Sequence, residues 1–267
     1  MLTVQNYVKA ESLEQAWELN QKKSNRIIGG MLWMRMGHRR IQTAIDLSGL
    51  GLDEIEETKE EFRIGCMVSL RQLEEHAGLA AYTQGAVKEA LRHIVGVQFR
   101  NLATVGGSIF GRFGFSDVLT MFQAMDTYVE LYKGGVIPLA EFAAAPRDRD
   151  ILVRVIIKKR PAAFAYQSVR NASTDFPVLT CAAAKYADGR WRFAVGARPG
   201  RAVLLTDEKH MLAEGAKEAQ KFGSFAAEQI ATGSNMRGSA EYRKHLIEVL
   251  VTRSIEKLCA GGVKDAD

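Results

Sequence analysis

Cysteine is scarce in this chain: Cys66, Cys181 and Cys259 are the three among 267 residues, far apart and odd in number. They offer neither a disulfide framework nor metal-ligand spacing, which points to a reducing compartment. An iron–sulfur cluster held by this chain alone is excluded on the same ground, since it wants closely placed thiolates. Long apolar runs are missing too. Nothing approaches the roughly 20 residues of a membrane span, and Met1–Ala10 lacks a signal-peptide core, so the expected location is cytoplasmic with no membrane span. There is no excess of one charge: 36 basic residues are scattered among 31 acidic ones, for a net +5. The densest basic runs, Arg35–Arg40 and Lys158–Arg160, are short, which argues against a nucleic-acid partner. The five histidines have no H-E-x-x-H or cysteine neighbour, and no G-x-S-x-G is present, so neither a zinc site nor a hydrolase elbow is indicated. Both G-x-x-x-x-G-K-[ST] and G-x-G-x-x-G are absent, which removes the P-loop and the Rossmann fingerprint.

What is present is an ordinary globular balance, 47% hydrophobic and 25% charged, enough for one large or two modest domains with real cores. Two double glycines stand out. In Arg26-Ile27-Ile28-Gly29-Gly30-Met31-Leu32 an apolar pair runs into glycines, the pattern of a short buried strand ending where something approaches its backbone. In Arg100-Asn101-Leu102-Ala103-Thr104-Val105-Gly106-Gly107-Ser108 the glycines are flanked by hydroxyl residues. Ser116-Asp117 follows, with Asp117 an acceptor of the kind that holds a ribose hydroxyl. Glycine leaves backbone N–H groups open to a phosphate, and two such segments could clamp one pyrophosphate. Taken singly, each is also a tight turn with nearby caps.

The remaining pattern is mixed helix and strand. Residues 3–8, Ile27-Ile28 and Ile41–Leu47 read as strands, with a helix capped by Ser12 between the first two and a solvated turn region over Leu50–Glu57. Phe62–Gly65 reads as a strand, Ser69 with Gln72 as a capping box, and Ala86–His93 and Val118–Met125 as helices. Tyr128–Tyr132 and the β-branched Ile151–Ile157 are strands, the latter buried. Lys158-Lys159-Arg160-Pro161 is the best domain junction. Beyond it Ala163–Val169, Val178–Tyr186 and Trp191–Val195 are predicted strands, and Asp207–Ala219, Phe225–Ala231 and Glu241–Leu258 predicted helices. In the last, Leu246, Val249, Leu250, Arg253 and Leu258 fall at helical spacing. A sheet with helices on one side is the simplest arrangement, ahead of a short polar tail, Lys264–Asp267.

Ile28-Gly29-Gly30, Phe99-Arg100-Asn101-x-Ala103-Thr104-Val105-Gly106-Gly107 and Ser116-Asp117 together resemble the FAD-binding (medium) subunit of molybdenum hydroxylases, the xanthine dehydrogenase and carbon monoxide dehydrogenase type. Ala172–Ala184 and Gly238–Arg243, ahead of Val249-Leu250-Val251, extend the likeness over nearly the whole chain. The resemblance implies an α+β fold: a two-lobed FAD-binding domain of the vanillyl-alcohol-oxidase (PCMH) type, with lobes 1–55 and 56–158. A C-terminal domain, 159–267, follows with a three-stranded antiparallel sheet and helices.

It implies FAD contacts at Ile27, Ile28, Gly29, Gly30, Met31, Leu32, Ile94, Val95, Thr104 through Ser108 (Gly106 and Gly107 included), Asp117, Leu152 and Gln167, with no catalytic side chain and no metal. Ile94, Val95 and Leu152 would sandwich the isoalloxazine or adenine, or are plain core. Met31 and Leu32 stand where many relatives have Thr or Ser and an acid, Ser108 where they have Asn, and Gln167 where a Lys often follows the aromatic. Arg170 is near enough to replace that charge, and the loop Asn171–Asp175 is a candidate to meet an acceptor. By the same resemblance electrons arrive from [2Fe-2S] clusters on a small subunit, the molybdopterin sits on a large subunit, NAD is the expected acceptor, and the assembly is a dimer of heterotrimers. Two other readings stay open: a cofactor-free scaffold subunit of the same fold, and a stand-alone flavin oxidoreductase.

Overall fold

The computed structural model describes residues 1–261, so the polar tail Lys264–Asp267 lies outside the described residues. The first lobe contains β1 (Thr3–Lys9), α1 (Leu13–Asn20), β2 (Arg26–Ile28), α2 (Leu32–Arg35) and β3 (Arg40–Asp46). Its sheet is parallel, in the order β1-β3-β2. Ser12 caps α1 by accepting from the Gln15 N–H at 3.1 Å, which satisfies one of the donors a helix start leaves open. Ile41, Ala44 and Ile45 of the central strand are buried.

The second lobe begins at β4 (Ile55–Glu57), where a turn is expected from sequence, and continues with β5 (Glu61–Gly65), α3 (Leu70–Glu75), α4 (Ala77–Tyr82), α5 (Ala86–Leu91), α6 (Val97–Arg100), α7 (Val105–Phe110) and α8 (Asp117–Ala124). It closes with β6 (Thr127–Leu131), β7 (Gly135–Pro138), α9 (Leu139–Ala144) and β8 (Leu152–Lys158). The sheet is antiparallel, β4-β5-β8-β6-β7. Five of the seven residues of β8 are buried in its centre, as a continuous β-branched run requires. The Ser69–Gln72 capping box forms at α3.

The C-terminal part has β9 (Ala162–Arg170), β10 (Pro177–Tyr186), β11 (Trp191–Gly196), β12 (Val203–Thr206), α10 (Ala219–Gln229) and α11 (Ala240–Gly261). Among the described residues its sheet has four strands, β12-β11-β10-β9, rather than the three expected. The added β12 is four residues long and half-buried throughout, too short to show a period. The helix expected over Asp207–Ala219 is a turn instead. The Asp207 carboxylate accepts from the Met211 and Leu212 N–H groups at 2.8 Å each, Gly215 is left-handed, and only Gly215–Glu218 winds as a 3-10 turn. Such side-chain to backbone bonds offer the chain an alternative to a helix.

Helices α10 and α11 cover one face of this sheet, while α8 of the second lobe, buried along its whole length, covers the other. The buried face of α11 runs through Arg243, Leu246, Ile247, Leu250, Val251, Ser254, Ile255 and Leu258, which leaves Arg253 exposed and Val249 at the margin. Arg243 is fully buried with no carboxylate partner among the described residues. Its guanidinium donates to the carbonyls of Val178, Ala197, Gly233 and Gly238 and to Asn235 Oδ1, so it ties β10 and β11 to the loop before α11. No helix of the described residues is long and apolar enough to cross a membrane.

Candidate functional site

The two double-glycine segments meet. A Cβ on Gly29 would lie 2.6 Å from Thr104 Oγ1, and one on Gly30 would overlap the Leu102 carbonyl. No larger residue allows that approach. The seam opens into a cleft of about 570 Å³, within the range of small-molecule sites. Its lining includes Ile27, Gly29, Gly30, Met31, Leu32, Ile94, Val95, Thr104, Gly107, Ser108 and Asp117.

The donors are distributed unevenly. Among the described residues the N–H groups of Gly29, Gly30, Met31 and Leu32 have no protein acceptor. The second segment differs from expectation, because Gly106 and Gly107 lie inside the first turn of α7 rather than in an open loop. There the Gly106 N–H donates to the Cys66 carbonyl at 2.8 Å, and the Gly107 N–H to Thr104 Oγ1 at 3.1 Å. Gly106 is a packing glycine: a Cβ would meet Cys66 O at 2.7 Å. Thr104 Oγ1 accepts that cap and keeps its own proton to donate, while the Ser108 hydroxyl donates to the Thr104 carbonyl at 3.0 Å.

Other expected residues fall outside the cleft lining. Ile28 is buried beneath it in the first sheet, and Leu152, only 4% exposed, is in the core at the centre of the second. Gln167 faces away: strand alternation turns it toward α11, where its amide donates to Ser254 Oγ at 2.9 Å. Arg170, three residues on, does reach the cleft.

Asp117 opens α8 with its carboxylate buried, accepting from the Tyr166 hydroxyl and forming an ion pair with Arg170. Burial pushes its pKa up from 3.8 to about 6 against the pull of that cation and hydroxyl. The same burial, with the Asp117 charge beside it, pushes the Tyr166 phenol well up, so Tyr166 stays a donor. The buried Cys66 and Cys181 thiols are inert, since desolvation raises both to about 12.

Several wall residues are not evident from sequence because they come from separate segments. Trp33 packs against Phe176 with centroids 5.0 Å apart, against Phe115 at 5.5 Å and against Phe99 at 5.6 Å. Phe176 is held by its neighbour Asp175, which pairs with Arg237 at 2.9 Å, and the Arg237 guanidinium covers the Phe176 ring. This places Thr174 and Asp175 of the expected acceptor loop on the cleft. Buried Arg100 donates to the carbonyls of Arg92 and Ile94 at 3.2 and 3.1 Å and pairs with Glu74 at 2.9 Å, which fixes the segment carrying Ile94 and Val95. Arg39 and Arg147 add two rim cations with no carboxylate partner among the described residues. Met31 and Val95, on different walls, both have left-handed φ values, 57° and 51°. For a β-branched residue that is a true outlier, and such outliers cluster at ligand clamps.

A preformed seam between two lobes, with open backbone donors on one side and a hydroxyl and a buried carboxylate on the other, is the architecture of a dinucleotide-binding domain. The chain belongs to the family described as FAD binding domain in molybdopterin dehydrogenase, whose model matches residues 2–159. It is 26% identical over 278 residues to the nicotine 6-hydroxylase medium subunit of Paenarthrobacter nicotinovorans, covering 93% of this chain and 95% of that one. It is 27% identical over 256 residues to the uncharacterised protein YgfM of Escherichia coli K12, covering 93% and 94%. Among solved structures the fold matches the reconstituted CO dehydrogenase of Oligotropha carboxidovorans with a TM-score of 0.85 at 20% identity, over 98% of this chain and 99% of that chain. Quinoline 2-oxidoreductase of Pseudomonas putida 86 matches with a TM-score of 0.78 at 20% identity, over 98% of each chain. The residues present fit FAD: the open N–H groups at Gly29–Leu32 suit phosphate oxygens, Asp117 suits a hydroxyl, and the aromatic wall suits a flat ring.

Proposed function

We propose that this chain is the FAD-carrying electron-transfer subunit of a molybdenum hydroxylase complex similar to xanthine dehydrogenase. In this reading a large molybdopterin-binding subunit and a small [2Fe-2S] subunit accompany it, in a cytoplasmic dimer of heterotrimers, and NAD is the acceptor. FAD, when bound, supplies the redox chemistry, which is why no acid or base of the chain is required. Gly29, Gly30, Met31 and Leu32 would present their N–H groups to the diphosphate, and Thr104 and Ser108 would flank it with hydroxyls. Gly107 supplies the room there, whereas Gly106, Ile28 and Leu152 act by packing the walls. Ile27, Ile94 and Val95 would line apolar parts of the cofactor, and Asp117 would accept from a sugar hydroxyl, held in place by Tyr166 and Arg170. Arg170 also places a cation in the cleft, in the role that Gln167, facing α11, does not fill.

The single observation that carries this reading is the run of unsatisfied backbone donors at Gly29–Leu32, with Gly29 wedged against Thr104, in a cleft of about 570 Å³. The test is to purify the chain with whatever accompanies it and titrate FAD. Bound flavin absorbance, one iron-rich companion and one molybdenum-bearing companion are expected. A colourless chain that gains no flavin absorbance would favour a scaffold role, and turnover of a small-molecule donor by the isolated chain would favour a stand-alone oxidoreductase.

A further inference from the structure

Among the described residues strand β9 is the edge of the C-terminal sheet, paired with β10 alone. Its free edge forms the floor of a second cavity, about 930 Å³, separate from the glycine cleft and walled by α5 on one side and α11 on the other. The parity of that edge follows from one bond. The Phe164 N–H donates to Gln84 Oε1 at 3.1 Å, so it points away from β10. Strand geometry repeats every two residues, which directs the N–H and C=O groups of Tyr166 and Ser168 into the same groove. Turned away from β10, neither of those N–H groups meets a turn, loop or side-chain acceptor among the described residues. An edge strand whose main-chain donors open into a groove in this way is a template for pairing with another chain.

Edge strands are normally blunted by charge, proline or a covering element. Here Gln84 blunts one end only, from a turn whose residues Gln84 and Gly85 both have left-handed φ. The charge of the walls is uneven. Arg253 and Lys257, one turn apart on α11, line the groove with no carboxylate partner among the described residues, whereas Glu89 on the α5 wall is paired with Arg92 at 3.1 Å.

We propose that this groove takes an extended, acidic segment of a second polypeptide, added to β9 as a further strand. Main-chain bonds to Tyr166 and Ser168 would set its register, and carboxylates on its α11 side would meet Arg253 and Lys257. The site does not depend on whether the glycine cleft holds FAD. Through β9 it is nevertheless continuous with that cleft, since the Tyr166 hydroxyl and Arg170 both end on Asp117.

The probe is a synthetic strand-forming peptide alternating valine and aspartate, with a control of the same sequence N-methylated on alternate amides. Both are titrated into the full chain by fluorescence anisotropy and amide hydrogen exchange. The expected result is exchange at Tyr166 and Ser168 slowed about tenfold or more by the first peptide, with affinity about tenfold weaker for the control. The double variant Arg253→Glu/Lys257→Glu, which changes exposed side chains only, should weaken binding about tenfold with an unchanged melting temperature. Three results would overturn the proposal: no binding or no protection at these two amides, equal binding of the methylated peptide, or an unaffected charge-reversed variant. It also fails if the two amides are already protected in the free chain and become fast-exchanging when residues 262–267 are deleted, which would give the groove to the chain's own terminus.

Discussion

Gly29→Ala, read against Thr104, tests how the cleft is built. The new Cβ falls 2.6 Å from Thr104 Oγ1 and 3.3 Å from its methyl carbon. Thr104 cannot turn aside freely, because the same oxygen accepts the Gly107 N–H and caps α7. Losing that cap costs about 1 kcal/mol, and holding the overlap instead costs about 1–3 kcal/mol. Reduced backbone freedom in the unfolded chain returns about 0.4–1 kcal/mol. The net destabilisation is about 0–2.6 kcal/mol, a fall in Tm of up to roughly 10 °C for a chain of this size. Thr104→Ala alone removes only the cap, about 1 kcal/mol. In the double variant the new methyl group meets nothing closer than the residue-104 Cβ, at 3.5 Å. Its loss should therefore be no greater than that of Thr104→Ala, a coupling of about 1–2 kcal/mol in a double-mutant cycle. Urea denaturation of the four chains measures this directly, and FAD titration of the same chains reports whether the cleft follows. Strictly additive losses would show that Gly29 and Thr104 do not interlock.

Four further outcomes are expected. Asp117 has a folded pKa raised by burial from 3.8 to about 6, so the folded chain holds that proton more tightly than the unfolded one. Its contribution makes stability fall as pH rises through that window, by up to about 3 kcal/mol, and Asp117→Asn should flatten that limb in denaturant melts at about pH 4.5 and about pH 6.5. Gln167→Lys should leave FAD affinity within about twofold, because the side chain faces Ser254; a tenfold change in the titration would place it in the cleft. Trp33→Ala should remove the fluorescence of a cleft-wall tryptophan and weaken FAD binding by about tenfold, since three aromatic contacts go with it. Arg243→Met should abolish soluble expression or lower Tm sharply, as it strands four carbonyls at about 1–3 kcal/mol for each that stays buried and unpaired; near-normal melting would refute that accounting.

Features governed by neighbours in sequence were legible from it. The Ser12 and Ser69 caps, the β8 run and the Ser116-Asp117 helix start each depend on a few adjacent residues, and each forms. The approach of the two glycine segments was also readable, because two such stretches together suit a close contact even though each alone also reads as a tight turn. What escaped depends on distant partners. The N–H of Gly106 is claimed by Cys66, forty residues earlier, and no local pattern reveals that. Leu152 and Gln167 were misplaced because which face of a strand meets a cleft is settled by the sheet, not by position in a motif. The aromatic wall is drawn from residues 33, 99, 115 and 176, which no window of sequence contains. The cations at Arg39 and Arg147 escaped for the same reason.

Because Gly29 is lodged under Thr104, the floor of the cleft is made when the chain folds and not when a ligand arrives. A dinucleotide would meet walls whose ordering was settled beforehand, so little of its binding energy would be diverted to drawing the lobes together. Empty and loaded chains should then superpose closely across the seam, and departure of the ligand should be timed by its own contacts rather than by a hinge.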